Sequence, residues 1–259
     1  MVSAGRILAS SLFLTLASPA LAAAPRVLLI WDVKSQRTEA LARSLKDGGS
    51  VVVFSDTDEI HYDGKNPSPA DFDVVVHLNG TTHHAEMTLV GQQALARFVR
   101  EGGGYLGHEW NAYELSCGRM QTMRPLILFD RTSGYMGPIV LKKAAQAGSH
   151  PVVWEVPQVF TMTGSSNIGR VHKFEQEPAI VLARDQQGND AIAVREYGLG
   201  RVVNFHHGGN WEGAATIFDS KEARRLFVDS VRWAYGCDPS FREGHREKTC
   251  AQIEARRKQ

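Results

Sequence analysis

The sequence predicts an α/β fold, a doubly wound, mostly parallel sheet with extra antiparallel strands. Three observations predict it. Residues 26–31 (RVLLIW), 50–54 and 72–78 (FDVVVHL) are continuous apolar runs, not alternating ones, as in strands covered on both faces. A fourth strand begins at Tyr105, and stretches with helical spacing or crossover length separate the four. Further on, residues 191–196 and 201–206 flank Tyr197-Gly198-Leu199-Gly200, which signals an antiparallel hairpin.

The first helix is predicted over 35–46. Ala40, Leu41 and Leu45 share one side there, and Gly48-Gly49 stop it. Residues 56–70 are polar, with Pro and Gly, and read as a loop. A second amphipathic helix is predicted over 88–100, through Leu89, Ala94, Leu95, Phe98 and Val99. Gly102-Gly103-Gly104 ends it before the fourth strand, which stops at His108. That order, helix then glycines then strand, is the reverse of a phosphate-binding loop. Short strands are predicted at 139–143, 152–160, 171–174 and 179–183. A closing helix over 221–235 carries Ala223, Leu226, Phe227, Val231 and Ala234 on one stripe, with Trp233 beside it. Trp154 and Trp233 are expected as packing residues.

The N-terminus reads as a secretory signal over residues 1–22. Arg6 is its positive region, residues 7–17 its apolar run, and Ala20-Leu21-Ala22 its cleavage pattern. The run is shorter than the roughly 20 residues of a spanning helix, so no stable membrane span is expected after cleavage. Periplasmic or secreted localisation follows. One domain is expected over 23–236, with a charged tail over 237–259. Without Arg6 the chain has 28 basic and 28 acidic residues, a balance that gives no field for nucleic acid. Cys237 and Cys250 flank a polar segment, and in an oxidising compartment they suit a disulfide tying the tail to the last helix. Cys117 is left over and is expected as a buried, inert thiol.

Three segments together resemble the ThuA-like family, named for trehalose utilisation, within the class I glutamine amidotransferase-like superfamily. They are residues 98–108 (FVREGGGYLGH), His150-Pro151 followed by Pro157 and Phe160, and residues 197–203 (YGLGRVV) leading through a Gly/His-rich turn to a helix ending at Gly236. The resemblance implies a flavodoxin-like fold and a link to sugar use. Residues 161–167 (TMTGSSN) lack the acidic pair often found there, and His206-His207-Gly208-Gly209-Asn210 stands where the family often has Gly-His.

Ligands of parallel α/β sheets sit at the carboxyl ends of the strands. That rule selects Asp32, Asn79, His108, Glu109, Trp110, His206, His207, Asn210 and Trp211. An amidotransferase needs a Cys at the strand-to-helix bend, and His108 stands there instead. His108 and Glu109, supported by His207, admit an acid/base or hydrogen-bonding centre. They also admit metal ligation with His206 or His207 and Asp32, in a metal-dependent hydrolase, although no short metal spacing is present. They admit a structural turn as well. No cofactor is expected. Asp32, Asn79, Trp110, Asn210 and Trp211 are the expected contacts to a sugar-like small molecule, indole rings stacking and polar groups bonding hydroxyls. Trp31 admits the same role or that of a sheet cap. His83-His84 and His206-His207 read as exposed loop histidines, or as pairs of which one member reaches the site. A non-catalytic binding module is the alternative to an enzyme, and oligomeric state is not legible. Asn79-Gly80-Thr81 is a glycosylation sequon in a host that glycosylates.

Overall fold

The structure, a computed structural model, describes residues 24–162, 165–206, 220–237, 250, 251 and 255. Residues 1–22, the expected signal, and nearly all of the charged tail lie outside them.

Eleven strands and four α-helices are described. The main sheet takes β1 (Arg26–Ile30), β2 (Val51–Phe54), β3 (Val74–His77), β4 (Gly104–Gly107), β6 (Ile139–Lys143), β7 (Val159–Met162), β9 (Ile180–Asp185), β10 (Asp190–Tyr197) and β11 (Gly200–Phe205). Their order is β2-β1-β3-β4-β11-β10-β9-β6-β7. The first five of that order are mutually parallel, and the β11–β10, β10–β9, β9–β6 and β6–β7 pairs are antiparallel. β5 (Phe129–Met136) and β8 (Ser165–Val171) form a separate antiparallel ribbon.

The helices wind on both faces. α1 (Gln36–Asp47) is capped by Ser35 and α4 (Lys221–Tyr235) by Ser220, each side chain accepting from a backbone N–H in the first turn. Val27, Leu29, Val74, Val76, Leu106 and Val203 bury against this pair. α2 (Leu89–Arg100), capped by Thr88, covers the other face over Leu28, Ile30, Val75, Tyr105 and Val202. Alternate residues of each strand thus enter different cores, as a pleated strand requires. α3 (Glu109–Ser116) follows β4 directly.

Two strand expectations are corrected. Residues 152–158 form turns, not a strand, and only Val159–Met162 pairs with β6. Pro151 lacks an N–H, and Val153 N–H bonds back to the His150 carbonyl, which curls the chain before it extends. The strand expected at 171–174 ends at Val171; its length lies upstream, opposite β5. β5 was not anticipated, because FDRTSGYM is polar and contributes to a ribbon with little core. The hairpin β10–β11 turns at Gly198, whose φ of +59° favours glycine.

Cys237 and Cys250 are joined by a disulfide, with Cα atoms 5.4 Å apart. Cys117 is exposed, not buried: the α3 chain ends there, and its side chain lies outside both cores. Trp154 is 49% exposed rather than packed, since it sits in the turn region that replaces the expected strand. Trp233 is buried as expected. No helix of the described residues is long and apolar enough to cross a membrane.

Candidate functional site

The carboxyl edge of β1, β3, β4 and β11 gathers residues distant in the chain. β1 delivers Trp31 and Asp32, β3 delivers His77 and Asn79, β4 delivers His108, and β11 delivers His206. Gly107 leaves room at this edge for the side chains of β11 and β4. A Cβ there would lie 2.8 Å from Asn204 Nδ2 and 2.9 Å from the Tyr105 ring.

Asp32 is buried, and both its oxygens accept from main-chain N–H groups, Val33 at 2.8 Å and Thr81 at 2.7 Å. It fastens the β3–α2 loop to the end of β1. A carboxylate held this way is a structural acceptor. Trp31 is half-buried. Its indole N–H donates to the Ser55 carbonyl and Lys34 lies 4.6 Å over its ring, which favours the sheet-cap reading over an open stacking platform. Asn79 is fully buried, and neither amide atom has a hydrogen-bond partner among the described residues. The folded chain thereby closes the sequon at Asn79.

His108 caps the N-terminus of α3 with extended backbone, φ −112° and ψ 168°, and without a side-chain cap bond. Its imidazole is 2% exposed. It packs on Phe205 (centroids 5.8 Å) and Phe227 (5.1 Å), and its Nδ1 lies 3.3 Å from the His77 carbonyl, to which an Nδ1–H donates. Glu109 opens α3 and is described by its backbone alone. His206 is buried, not exposed: its ring stacks on Phe129 at 4.4 Å and 9°, and its Nδ1 faces the Asp190 carbonyl at 3.2 Å. β11 ends at Phe205, and the His206 N–H donates to the Ala191 carbonyl at 2.8 Å, which keeps this residue against the sheet. His207, Asn210 and Trp211 lie outside the described residues. Among the described residues no group of three or more His, Cys, Asp or Glu is placed to hold a metal ion.

A buried network lies beneath this edge that the sequence reading missed. Asn111 Nδ2 donates to the Tyr105 hydroxyl at 3.3 Å, and that hydroxyl lies 2.8 Å from His77 Nδ1. His77 Nε2 lies 2.9 Å from Glu59 Oε2, and Thr82 donates to Glu59 Oε1 at 2.6 Å. Since Tyr105 accepts from Asn111, its own hydrogen goes to His77 Nδ1, leaving His77 Nε2–H to donate to Glu59. Glu59 and His77 have fully buried side chains. Burial pushes the Glu59 carboxyl up, against the pull of the His77 bond and charge. Burial likewise raises the Tyr105 hydroxyl. The signal was present in FDVVVHL: a His inside a valine run buried on both faces needs partners.

Above the network, at the surface, rings gather. Trp110 lies 5.1 Å from His83 and 5.2 Å from Tyr113, and His84 lies 4.4 Å from His83 and 5.5 Å from Tyr113. Tyr113 OH and His84 Nδ1 are 3.0 Å apart. Trp110, His83 and Tyr113 are half-buried and His84 is exposed. Arg131 stands 4.8 Å and Arg119 5.9 Å over the Tyr113 ring. Fully buried Glu114 fixes the cluster from below, accepting from His84 N–H at 2.9 Å and from Arg119 Nε. Both His83 and His84 thus reach one shared cluster, where one member of the pair was expected, because they lie in a loop and not on a strand.

No protein-family model matches the sequence, and no curated protein matches it. Solved structures do. A ThuA-like protein from Bacteroides uniformis superposes with a TM-score of 0.63 at 16% identity, over 87% of this chain and 97% of that one. A second from Parabacteroides merdae gives 0.60 at 14%, over 82% and 90%. A GMP synthase subunit from Thermoplasma acidophilum gives 0.55 at 10%, over 91% and 98%. At these identities the likeness is one of architecture, and the chain has the flavodoxin-like fold of the ThuA-like proteins.

Proposed function

We propose that this chain is an exported ThuA-like protein that binds a sugar or sugar-derived small molecule at the carboxyl edge of its parallel strands, without glutamine amidotransferase activity. The observation that carries the reading is the half-exposed cluster of Trp110, His83, His84 and Tyr113, held on α3 and the β3–α2 loop. Rigid indole and phenol rings offer large contact area with few torsions to freeze, and they suit the apolar face of a sugar ring. Asn79, a fully buried amide whose atoms lack hydrogen-bond partners among the described residues, stands behind the rings and is closed to a ligand, so the rings alone carry the contact.

Binding is favoured over catalysis because the acids around the edge whose side chains are described are engaged. Asp32 holds two main-chain amides, Glu59 holds His77 and Thr82, and Glu114 holds His84 and Arg119. The absence of glutaminase chemistry is supported by His108 at the bend and by Cys117 at the opposite end of α3, about 12 Å along the helix. Export is supported by the leader pattern and by the Cys237–Cys250 bond, a type that persists in oxidising compartments.

A thermal-shift screen of the purified protein against mono- and disaccharides, keto-sugars and sugar acids tests the binding. A ligand that raises the midpoint of the wild type and not of Trp110→Ala is expected. A screen in which every hit stabilises both proteins equally removes the cluster from the account. Mass spectrometry of the mature N-terminus is expected to find Ala23 first; an intact Met1 in the envelope fraction contradicts export by cleavage.

A further inference from the structure

The described carboxylates at the carboxyl edge are engaged, but two imidazoles above it keep a nitrogen free. His83 and His84 are neighbours in the chain, and their ring centroids lie 4.4 Å apart. In an extended chain adjacent side chains point to opposite faces. Here the His84 backbone takes a φ of +77°, in the left-handed region that a residue with a side chain seldom adopts. That bend brings the two rings together. Fully buried Glu114 holds it, accepting from the His84 N–H at 2.9 Å. Backbone strain of this kind collects at working sites.

Hydrogen bonding fixes which nitrogen is available. The Gly80 carbonyl lies 2.8 Å from His83 Nδ1. A carbonyl only accepts, so Nδ1 carries the hydrogen and a neutral His83 presents Nε2 as a lone pair. His83 is half-buried, and its Nε2 is not sealed from solvent. His84 Nδ1 lies 3.0 Å from the Tyr113 hydroxyl, whose oxygen accepts from an Nδ1–H. That bond survives in the imidazolium and in the neutral ring that keeps its hydrogen on Nδ1. The Nε2 of exposed His84 is thus free to give or regain a hydrogen. A positive charge is better solvated on His84 than on His83, which packs 5.1 Å from Trp110. One ring is therefore placed as a base and its neighbour as an acid.

We propose that His83 and His84 are an acid/base pair that interconverts the anomers of a reducing sugar held on the ring cluster. The inference rests on sugar binding at Trp110 and adds a reaction to it. His83 Nε2 takes the proton of the anomeric hydroxyl, and the electrons of that O–H bond form the carbonyl at C1. The bond from C1 to the ring oxygen breaks, and the ring oxygen takes the Nε2 proton of the His84 imidazolium. His83 is left charged and His84 neutral, so the pair keeps its net charge. Closure of the ring on the other face of C1 returns both protons. Nothing is oxidised, no water is consumed and no carboxylate takes part, which fits an edge whose described acids are spent on the fold. A hydroxyl proton is far more acidic than one on carbon, so anomer exchange is within reach of imidazoles alone.

Polarimetry of freshly dissolved α-D-glucose and α-D-galactose with the full chain, in a buffer free of imidazole, tests it. Optical rotation is expected to relax faster than in buffer with at least one of the two sugars, in proportion to protein and with saturation. His83→Asn keeps an amide donor for the Gly80 carbonyl and removes Nε2. It is expected to lower the acceleration by about a hundredfold, while the sugar still raises the thermal midpoint. His84→Asn, which accepts the left-handed backbone, is expected to lower it by about as much. His61→Asn, at an exposed histidine outside the cluster, is expected to leave the rate unchanged. Stabilisation by a sugar without acceleration overturns the exchange and leaves the binding reading standing. Acceleration undiminished in His83→Asn also overturns the exchange. Neither stabilisation nor acceleration by both sugars overturns the exchange and the binding together.

Discussion

Two polar regions meet at the start of α3, and they are built oppositely. Below the sheet edge, Glu59, His77 and Tyr105 are sealed from water, and hydrogen bonds run unbroken from Asn111 Nδ2 to the Thr82 hydroxyl. Above it, Trp110, His83, His84 and Tyr113 keep faces toward solvent. The difference teaches which residues hold the site and which are free to work. In a dry network an unmatched atom costs folding energy, whereas a half-exposed ring contributes little to folding and much to contact with a ligand.

The sharpest break of that comparison is His77→Leu. It strands a buried carboxyl and a buried phenol together, and a loss of about 3–5 kcal/mol in urea unfolding is expected. A loss under about 1 kcal/mol would show that the network is not what supports the edge. Reducing the Cys237–Cys250 bond is expected to cost about 3 kcal/mol, from the loop it closes, while leaving the rings at the edge unaffected. Unfolding with and without a phosphine reductant measures it.

A pH series comes next. Burial, and then the charge of Arg201, push His150 from 6.5 down to about 4. Its Nδ1 accepts from Val152 N–H, a bond that only the unprotonated nitrogen makes. The unfolded chain gains this proton near 6.5 and the native chain only near 4. The stability is therefore full above about 6.5 and falls as pH drops toward 4, at up to about 1.4 kcal/mol per unit. His150→Asn, which can still accept at that position, is expected to flatten this part of the stability–pH curve. Asp32→Ala removes two main-chain acceptances and is expected to cost about 2 kcal/mol, with faster amide exchange at Thr81. Smallest for folding is Trp110→Ala, expected to cost about 1 kcal/mol because the ring is partly buried against His83 and Tyr113. Its effect is on binding.

The contrast also explains what the sequence revealed. The closing helix was legible to the residue because one apolar stripe runs from Ala223 to Ala234, and β6 because Ile139, Leu141 and Lys143 alternate inward with exposed neighbours. The 152–160 expectation failed because periodicity in VVWEV was allowed to outweigh Pro151 and Pro157, which break main-chain pairing. β5 was missed because its strand state comes from pairing with β8 and not from its own polar residues. At the site, the strand-end rule brought Asp32, Asn79, His108 and Trp110 to one edge. It did not distinguish an acid held by two amides from one open to a ligand, since such bonds form only in the fold. Glu59 was invisible in a polar loop.

Ligand binding at this edge rests on the rings, so the most direct measurement watches one of them. In ¹⁵N-labelled protein each tryptophan gives a separate indole N–H signal. Titration with the best sugar from the thermal screen is expected to move the Trp110 signal and saturate, while that of buried Trp233 stays in place. A Trp110 signal that remains still as the protein is stabilised would contradict ligand binding at this edge.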